Sequence, residues 1–425
     1  MKPSPTSKKA QRIGPPPISW MIKFALDNPD LISLAAGFVD QETLPTRAVL
    51  ACCRAILRDE PRGRAALQYG TTVGHRGLRE SILGLLAEDE GITPEKNRIT
   101  ADNVVVTTGS QAILYLATEA LVDPGDVVII SDPSYFVYMG ILQGVDADVR
   151  GVPIQKDGMD VKGVRNVVDQ LRSEGKLDRL KVIYVVSYFQ NPSGVTMSAK
   201  KRGALFDLVQ EIRDEAPVFI LEDGAYRELR YYGRKVPPIK LLDTNNDSVI
   251  YAGTFCKPFS AGLKTGYGIV PDALLDAVLY QKGNLNFGSS NFTQCIIDEA
   301  IRSGKYRRHV SVVRRGYKAK LKVMLDALQE FMPEEAWWLT PKGGLFVWAA
   351  MPESIDTGPH GDFFQLAVDK GMLYVPGEFC YYPEAGREKP RNWMRLSFGV
   401  ETAENVREGI RRLAEAVKET QRRGR

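Results

Sequence analysis

Between about residues 50 and 300 the chain alternates short apolar, β-branched runs with stretches of helical periodicity. The runs fall at 104–108, 127–130, 182–186, 218–221 and 249–255, followed by Gly109, Ser131-Asp132, Ser187, Glu222-Asp223 and Cys256-Lys257. Strands separated by helix-length segments build βα units, which force a mostly parallel sheet covered by helices. The expected fold is therefore α/β, a large domain with a mostly parallel central sheet plus a smaller α+β domain. In open sheets of this kind ligands bind beyond the carboxyl ends of the strands. The residues that follow each run are thus the ones to read for chemistry.

Lys257 follows the run 249–255 and enters a Gly-, Pro- and Ser-rich segment, so its amine is presented where a buried strand meets a loop. An imine-forming lysine needs its pKa lowered by desolvation or by a cationic neighbour, and Lys264 could be that neighbour. After the run 218–221 come Asp223 and Tyr226, a carboxylate and a phenol leaving one strand end together. After 182–186, Gln-Asn191-Pro-Ser-Gly opens a turn that could aim Asn191 at a ligand. The run 104–108 passes through Gly109 into Ser110-Gln111 and an amphipathic helix, whose free N–H groups form an anion site. Asp132-Pro-Ser-Tyr135 ends the run 127–130 and could lay an aromatic face over a flat ring. Taken singly, each has an ordinary structural reading: a surface lysine, a turn, a core tyrosine.

Together, the ordered series Gly37, Tyr69-Gly70, Gly109-Ser-Gln, Asp132-Pro-x-Tyr, Asn191-Pro-x-Gly, Asp223-x-x-Tyr, Thr254-x-x-Lys257, Gly262-Leu-Lys-x-Gly and Arg395 resembles the pyridoxal-phosphate-dependent aminotransferases of fold type I. Ser33-Leu-Ala-Ala-Gly and Gly-Thr-Phe-x-Lys resemble more narrowly the aminoadipate and kynurenine aminotransferase subgroup, which also includes the effector domains of MocR-type regulators. The resemblance runs from about residue 19 to the C-terminus.

The resemblance implies a homodimeric enzyme with pyridoxal phosphate as cofactor, Lys257 as its imine-forming lysine and proton shuttle, and an amino acid and a 2-oxo acid as substrates. Asp223 would pair with the ring nitrogen, Tyr226 and Asn191 with the ring oxygen, and Tyr135 would stack on the ring. Gly109, Ser110, Gln111, Thr254 and Lys264 would hold the phosphate, with Tyr69 reaching in from the partner subunit. Arg395 would grip the substrate carboxylate near the Gly37 backbone, with Asn191 also in reach of that carboxylate. Two positions depart from the family's pattern. Cys256 stands where serine is common and Lys264 where arginine is common, and lysine lacks the planar fork that meets phosphate bidentately. Trp20 falls where aminoadipate-type relatives carry an arginine, so an aromatic or aliphatic donor is expected rather than an acidic one. The reaction expected is ping-pong transamination to an acceptor such as 2-oxoglutarate. The same residues would also serve elimination, cyclisation or racemisation, and a non-enzymatic sensor is a further reading.

Composition agrees with a soluble enzyme. A net charge of +4 on 425 residues gives no nucleic-acid footprint. Five scattered cysteines without C-x-x-C spacing suggest a reducing cytoplasm, and three unpaired histidines argue against metal catalysis. No apolar stretch approaches the roughly 20 residues a bilayer requires. Residues 1–18, with Lys8-Lys9 and three consecutive prolines, read as a flexible arm that could cross to a neighbour. Residues 19–48 are expected to pack with the small domain, 49–300 to form the large cofactor-binding domain, and 301–425 the small C-terminal one.

Overall fold

The computed structural model describes residues 5–91, 93–383 and 388–423. Its central sheet has eight strands, running edge to edge Val104–Thr107, Gly266–Ile269, Val249–Thr254, Phe219–Asp223, Leu180–Val186, Val127–Asp132, Asp148–Gln155 and Gly158–Met159. The five strands from Val249–Thr254 to Asp148–Gln155 are mutually parallel. Strands covered on both faces bury every side chain, which is why the stretches 104–106 and 127–130 are apolar without alternation and their strands, Val104–Thr107 and Val127–Asp132, are buried throughout.

Gly266–Ile269 is antiparallel to both its neighbours because the chain doubles straight back after Val249–Thr254. The loop carrying Lys257 is thereby pinched at its neck, where Thr254 pairs with Gly266 and the Phe255 amide donates to the Thr265 carbonyl at 3.0 Å. A side chain at Gly266 would put its Cβ 2.4 Å from the Gly109 carbonyl carbon, so glycine there lets two strand ends share one cup.

The C-terminal part is built on a four-stranded antiparallel sheet ordered Trp337–Trp338, Phe346–Ala350, Trp393–Ser397 and Val375–Pro376. The helices Lys305–Phe331 and Ala403–Arg423 cover it, the latter capped by Thr402, whose Oγ1 accepts from the Asn405 amide at 3.1 Å. Ile32–Ser33 pairs in parallel with Met372–Leu373, tying the N-terminal segment to this part.

The expected flexible arm is corrected over its described residues; the first four lie outside them. Lys8–Arg12 is a helix capped by Ser7, and it packs on the helix Phe136–Val145 of its own chain. Lys9 pairs with Glu119 at 2.5 Å, Arg12 with Asp146 at 3.1 Å, and Ile13 lies against Gly144. Each such surface pair is worth at most about 1 kcal/mol, but several contacts together order a short segment.

Candidate active site

The carboxyl ends of the strands open into a cavity of about 520 Å³ that gathers Gly37, Gly109, Ser110, Gln111, Tyr135, Asn191, Asp223, Tyr226, Thr254, Lys257, Lys264 and Arg395. Residues spread over more than three hundred positions of sequence converge because most lie at or just past the end of a strand of the eight-stranded sheet, while Arg395 comes from the middle of Trp393–Ser397 and Gly37 from the segment after Ile32–Ser33. A larger cavity, about 910 Å³, opens behind the Asn191 turn, lined by Arg227, Arg230 and Lys342 among others. It contains neither Lys257 nor Asp223, so the chemistry belongs to the smaller one.

Lys257 donates from Nζ to the Gly37 carbonyl at 2.7 Å. Burial pushes its pKa down to about 8, with Arg395 and Lys264 adding repulsion, although Cys256 opposes them. Such an amine is neutral for part of the time near physiological pH, as a nucleophile or base must be. Cys256 itself points toward the Gly109 turn, its Sγ 3.7 Å from the Thr265 carbonyl oxygen.

Asp223 is the last residue of its strand and is buried. Burial pushes its pKa up to about 6. Two donors oppose this: the Ala225 amide to Oδ1 and the Tyr184 hydroxyl to Oδ2, both at 3.0 Å. Tyr226 is hydrogen-bonded to Asn191 and stands edge-on to Phe346, ring centroids 5.8 Å apart. Burial raises the pKa of both Tyr135 and Tyr226, so both hydroxyls remain protonated donors.

The helix Ser110–Leu121 starts at Gly109 with φ 81° and no side-chain cap. Its first amides have no partner within the helix, and the positive end of the helix faces the cavity. Lys264 and Thr254 lie on the same side of the site, with Thr254 Oγ1 accepting from the Cys256 amide at 3.1 Å.

Arg395 is 1 % exposed, an unusual place for a cation. It donates to Asn191 Oδ1 at 2.9 Å and to the Ala35 carbonyl at 2.7 Å, with its guanidinium 4.1 Å from the Phe346 ring centre. Among the described residues its Nε has no acceptor and no carboxylate pairs with it. Burial lowers its pKa, and a buried cation without a counter-ion is costly to hold.

Two expected site residues stand apart. Tyr69 is 85 % exposed and lies edge-on to Phe287, outside the cavity of its own chain. The expectation that Trp20 lines the substrate end is corrected. Trp20 is 41 % exposed and packs on Phe24 and Phe364, because the helix Pro17–Asp27 turns that face away. Ser19 and Ile22 of the same helix line the cavity instead, with Phe38, Val39 and Phe136.

Sequence reasoning also missed the braces behind the site. Gln190 donates to Ser131 Oγ at 2.7 Å and to the Pro133 carbonyl at 2.9 Å, locking the Asn191 turn to the neighbouring strand end. Buried Arg202 donates to the carbonyls of Ser187, Met197 and Pro237, and buried Glu222 accepts from Ser187, Ile239 and Lys240. A charged residue inside an apolar run is the signal that could have flagged Glu222.

The arrangement has counterparts among known proteins. Residues 29–413 match the family described as aminotransferase class I and II. The chain belongs to that family. It is a transaminase, and its cofactor is pyridoxal phosphate. The aminotransferase is 34% identical over 413 residues, 97% of this chain and 94% of the relative, to aromatic-amino-acid aminotransferase 1 of Thermococcus litoralis. It is 30% identical over 416 residues, 97% of this chain and 96% of the relative, to 2-aminoadipate transaminase of Thermus thermophilus. A kynurenine aminotransferase of Pyrococcus horikoshii, solved in complex with PMP, superposes with a TM-score of 0.88 at 33% identity, covering 97% of each chain.

The residues present fit the cofactor. An uncapped helix start suits a phosphate, a buried carboxylate suits a cationic ring nitrogen, and an amine of depressed pKa suits an aldehyde, all within one cavity.

Proposed function

We propose that this aminotransferase takes its amino group from an aromatic or aliphatic L-amino acid and passes it to a 2-oxo acid such as 2-oxoglutarate, in a ping-pong cycle. The observation that carries the reading is Arg395: a buried guanidinium without a counter-ion among the described residues, in the same cavity as Lys257 and Asp223. An α-carboxylate arriving there supplies the missing charge, and its two oxygens match the guanidinium's donors.

Bound pyridoxal phosphate supplies an electron-withdrawing ring that takes up the electron pair released at the substrate's α-carbon. The residues do the rest. Asp223 stays ionised to keep the ring nitrogen protonated, and Tyr226 with Asn191 meets the ring oxygen. Tyr135 presents its flat face to the ring. Gly109, Ser110, Gln111, Thr254 and Lys264 take the phosphate, joined by Tyr69 of a second subunit. Lys257 Nζ, once substrate has freed it, removes the α-proton and returns it.

The side-chain end of the cavity is walled by Ile22, Phe38, Val39, Phe136 and Phe346. Its cationic lining residues are Lys257, Lys264 and Arg395, which serve the cofactor aldehyde, the phosphate and the α-carboxylate in turn. Among the described residues an acidic donor would find no spare cation there, whereas an apolar donor buries surface worth roughly 25 cal/mol per Å². A homodimer is supported by the exposure of Tyr69 and Phe287, and a cytoplasmic location by the five free thiols.

The test is a panel of amino donors, scored by conversion of the bound cofactor from its pyridoxal to its pyridoxamine form. Phenylalanine, tyrosine, leucine or methionine should convert it faster than glutamate or aminoadipate. Faster conversion by the acidic donors would overturn the substrate assignment, and release of ammonia without any 2-oxo acid acceptor would overturn transamination.

A further inference from the structure

Tyr184 has no place in the motif series and does not line the cavity, yet its hydroxyl donates to Asp223 Oδ2 at 3.0 Å. It lies on Leu180–Val186, the strand paired with Phe219–Asp223, and Val186 stands opposite Asp223 in register. Its ring is stacked on Tyr138, centroids 4.0 Å apart at 29°, and Tyr138 is bonded in turn to Thr118 Oγ1 at 3.1 Å. Neither tyrosine is exposed to solvent. The stack prevents the Tyr184 ring from swinging, so the hydroxyl stays fixed at the carboxylate.

This contact matters because Asp223 is buried and burial favours the protonated, neutral acid. A neutral acid cannot balance a cationic ring nitrogen. The Ala225 amide covers one carboxylate oxygen. Without Tyr184 the other would have no donor among the described residues. A phenol that donates into a buried carboxylate stabilises the charged form, and burial raises the pKa of Tyr184 so that it keeps its proton.

We propose that Tyr184 is a positioning residue for this transaminase: its hydroxyl holds Asp223 ionised and aimed for the ring nitrogen of the cofactor. The inference rests on the assignment of Asp223 to that nitrogen. Tyr184 acts on one atom of the cofactor through one oxygen of Asp223, and this makes its role separable from packing.

The experiment measures calorimetric affinity of the apoprotein for pyridoxamine phosphate, which binds without a covalent bond to Lys257, and for the deaza analogue in which carbon replaces the ring nitrogen. Near neutral pH the unsubstituted protein should prefer pyridoxamine phosphate. Tyr184→Phe should weaken pyridoxamine phosphate by about tenfold or more while changing the analogue by less than about twofold. Tyr138→Phe, which keeps the stack and removes only the hydroxyl facing Thr118, should leave that preference intact. Equal losses for both ligands in Tyr184→Phe, or no loss, would overturn the proposal, as would the same selective loss in Tyr138→Phe. An unsubstituted protein that does not distinguish the two ligands would instead strike at the assignment of Asp223 itself.

Discussion

The strand-end rim and the front wall of the cavity are built on opposite principles. Asp223 and Arg395 lie within strands, while Gly109 and Lys257 lie just past strand ends, so sheet register fixes their backbones. The front wall comes from the helix Pro17–Asp27 and the segment at Phe38 and Val39, where residues are half exposed and few hydrogen bonds constrain them. The rim therefore dictates which reaction runs, and the wall dictates which side chain is accepted. Substitutions should separate along the same line.

The largest effects belong to the rim. Lys257→Ala should lower turnover on the order of 10³-fold or more, measured with any accepted donor, because it removes the proton-transferring group. In the unsubstituted apoprotein, capture of pyridoxal phosphate should speed up as pH rises through about 8, because the Lys257 pKa lies near that value and only the neutral amine attacks. A flat stopped-flow profile across that range would break the assignment. Arg395→Ala should cost about 10²- to 10³-fold in kcat/KM, and this loss should be similar for aromatic and aliphatic donors, since every donor presents the same α-carboxylate.

The wall should behave differently. Ser19→Arg should move the ratio of kcat/KM for glutamate over phenylalanine up by about tenfold, by supplying a cation the wall lacks, with little change in cofactor binding. Trp20→Ala, one residue along but on the outward face, should change the same ratio by less than about twofold. An equal shift from both would mean that the helix presents a different face. A further effect of the rim is modest: Lys264→Arg should slow phosphate-ester dissociation by about threefold to tenfold, since a planar fork meets the phosphate bidentately.

The same division explains what could be read from the sequence. Five apolar runs, each giving way to polar or turn-forming residues, marked the strand ends that meet at the site, and strand geometry left little freedom for the residues that followed, so Asp223, Asn191, Gly109 and Lys257 converge on one cavity. Arg395 was legible for a related reason, since its strand sits between Phe346–Ala350 and Val375–Pro376 in the second sheet. Trp20 was misplaced because successive residues on a helix point about 100° apart, and nothing in the local pattern fixes which of Ser19, Trp20 and Ile22 faces inward. The arm was read as flexible from its prolines and lysines, whereas its order comes from Glu119, Asp146 and Gly144, all distant in sequence. Tyr184 and Gln190 escaped notice for a similar reason: their partners, distant in sequence, are brought close by the pairing of neighbouring strands, which local periodicity does not display.

The account stands on one covalent attachment. Reduction of the cofactor-loaded enzyme with borohydride, followed by proteolysis and mass spectrometry of the peptides, reads it directly. A phosphopyridoxyl group on Lys257 alone is the predicted result. The same group on Lys264 or any other lysine, or no modified lysine at all, would contradict it.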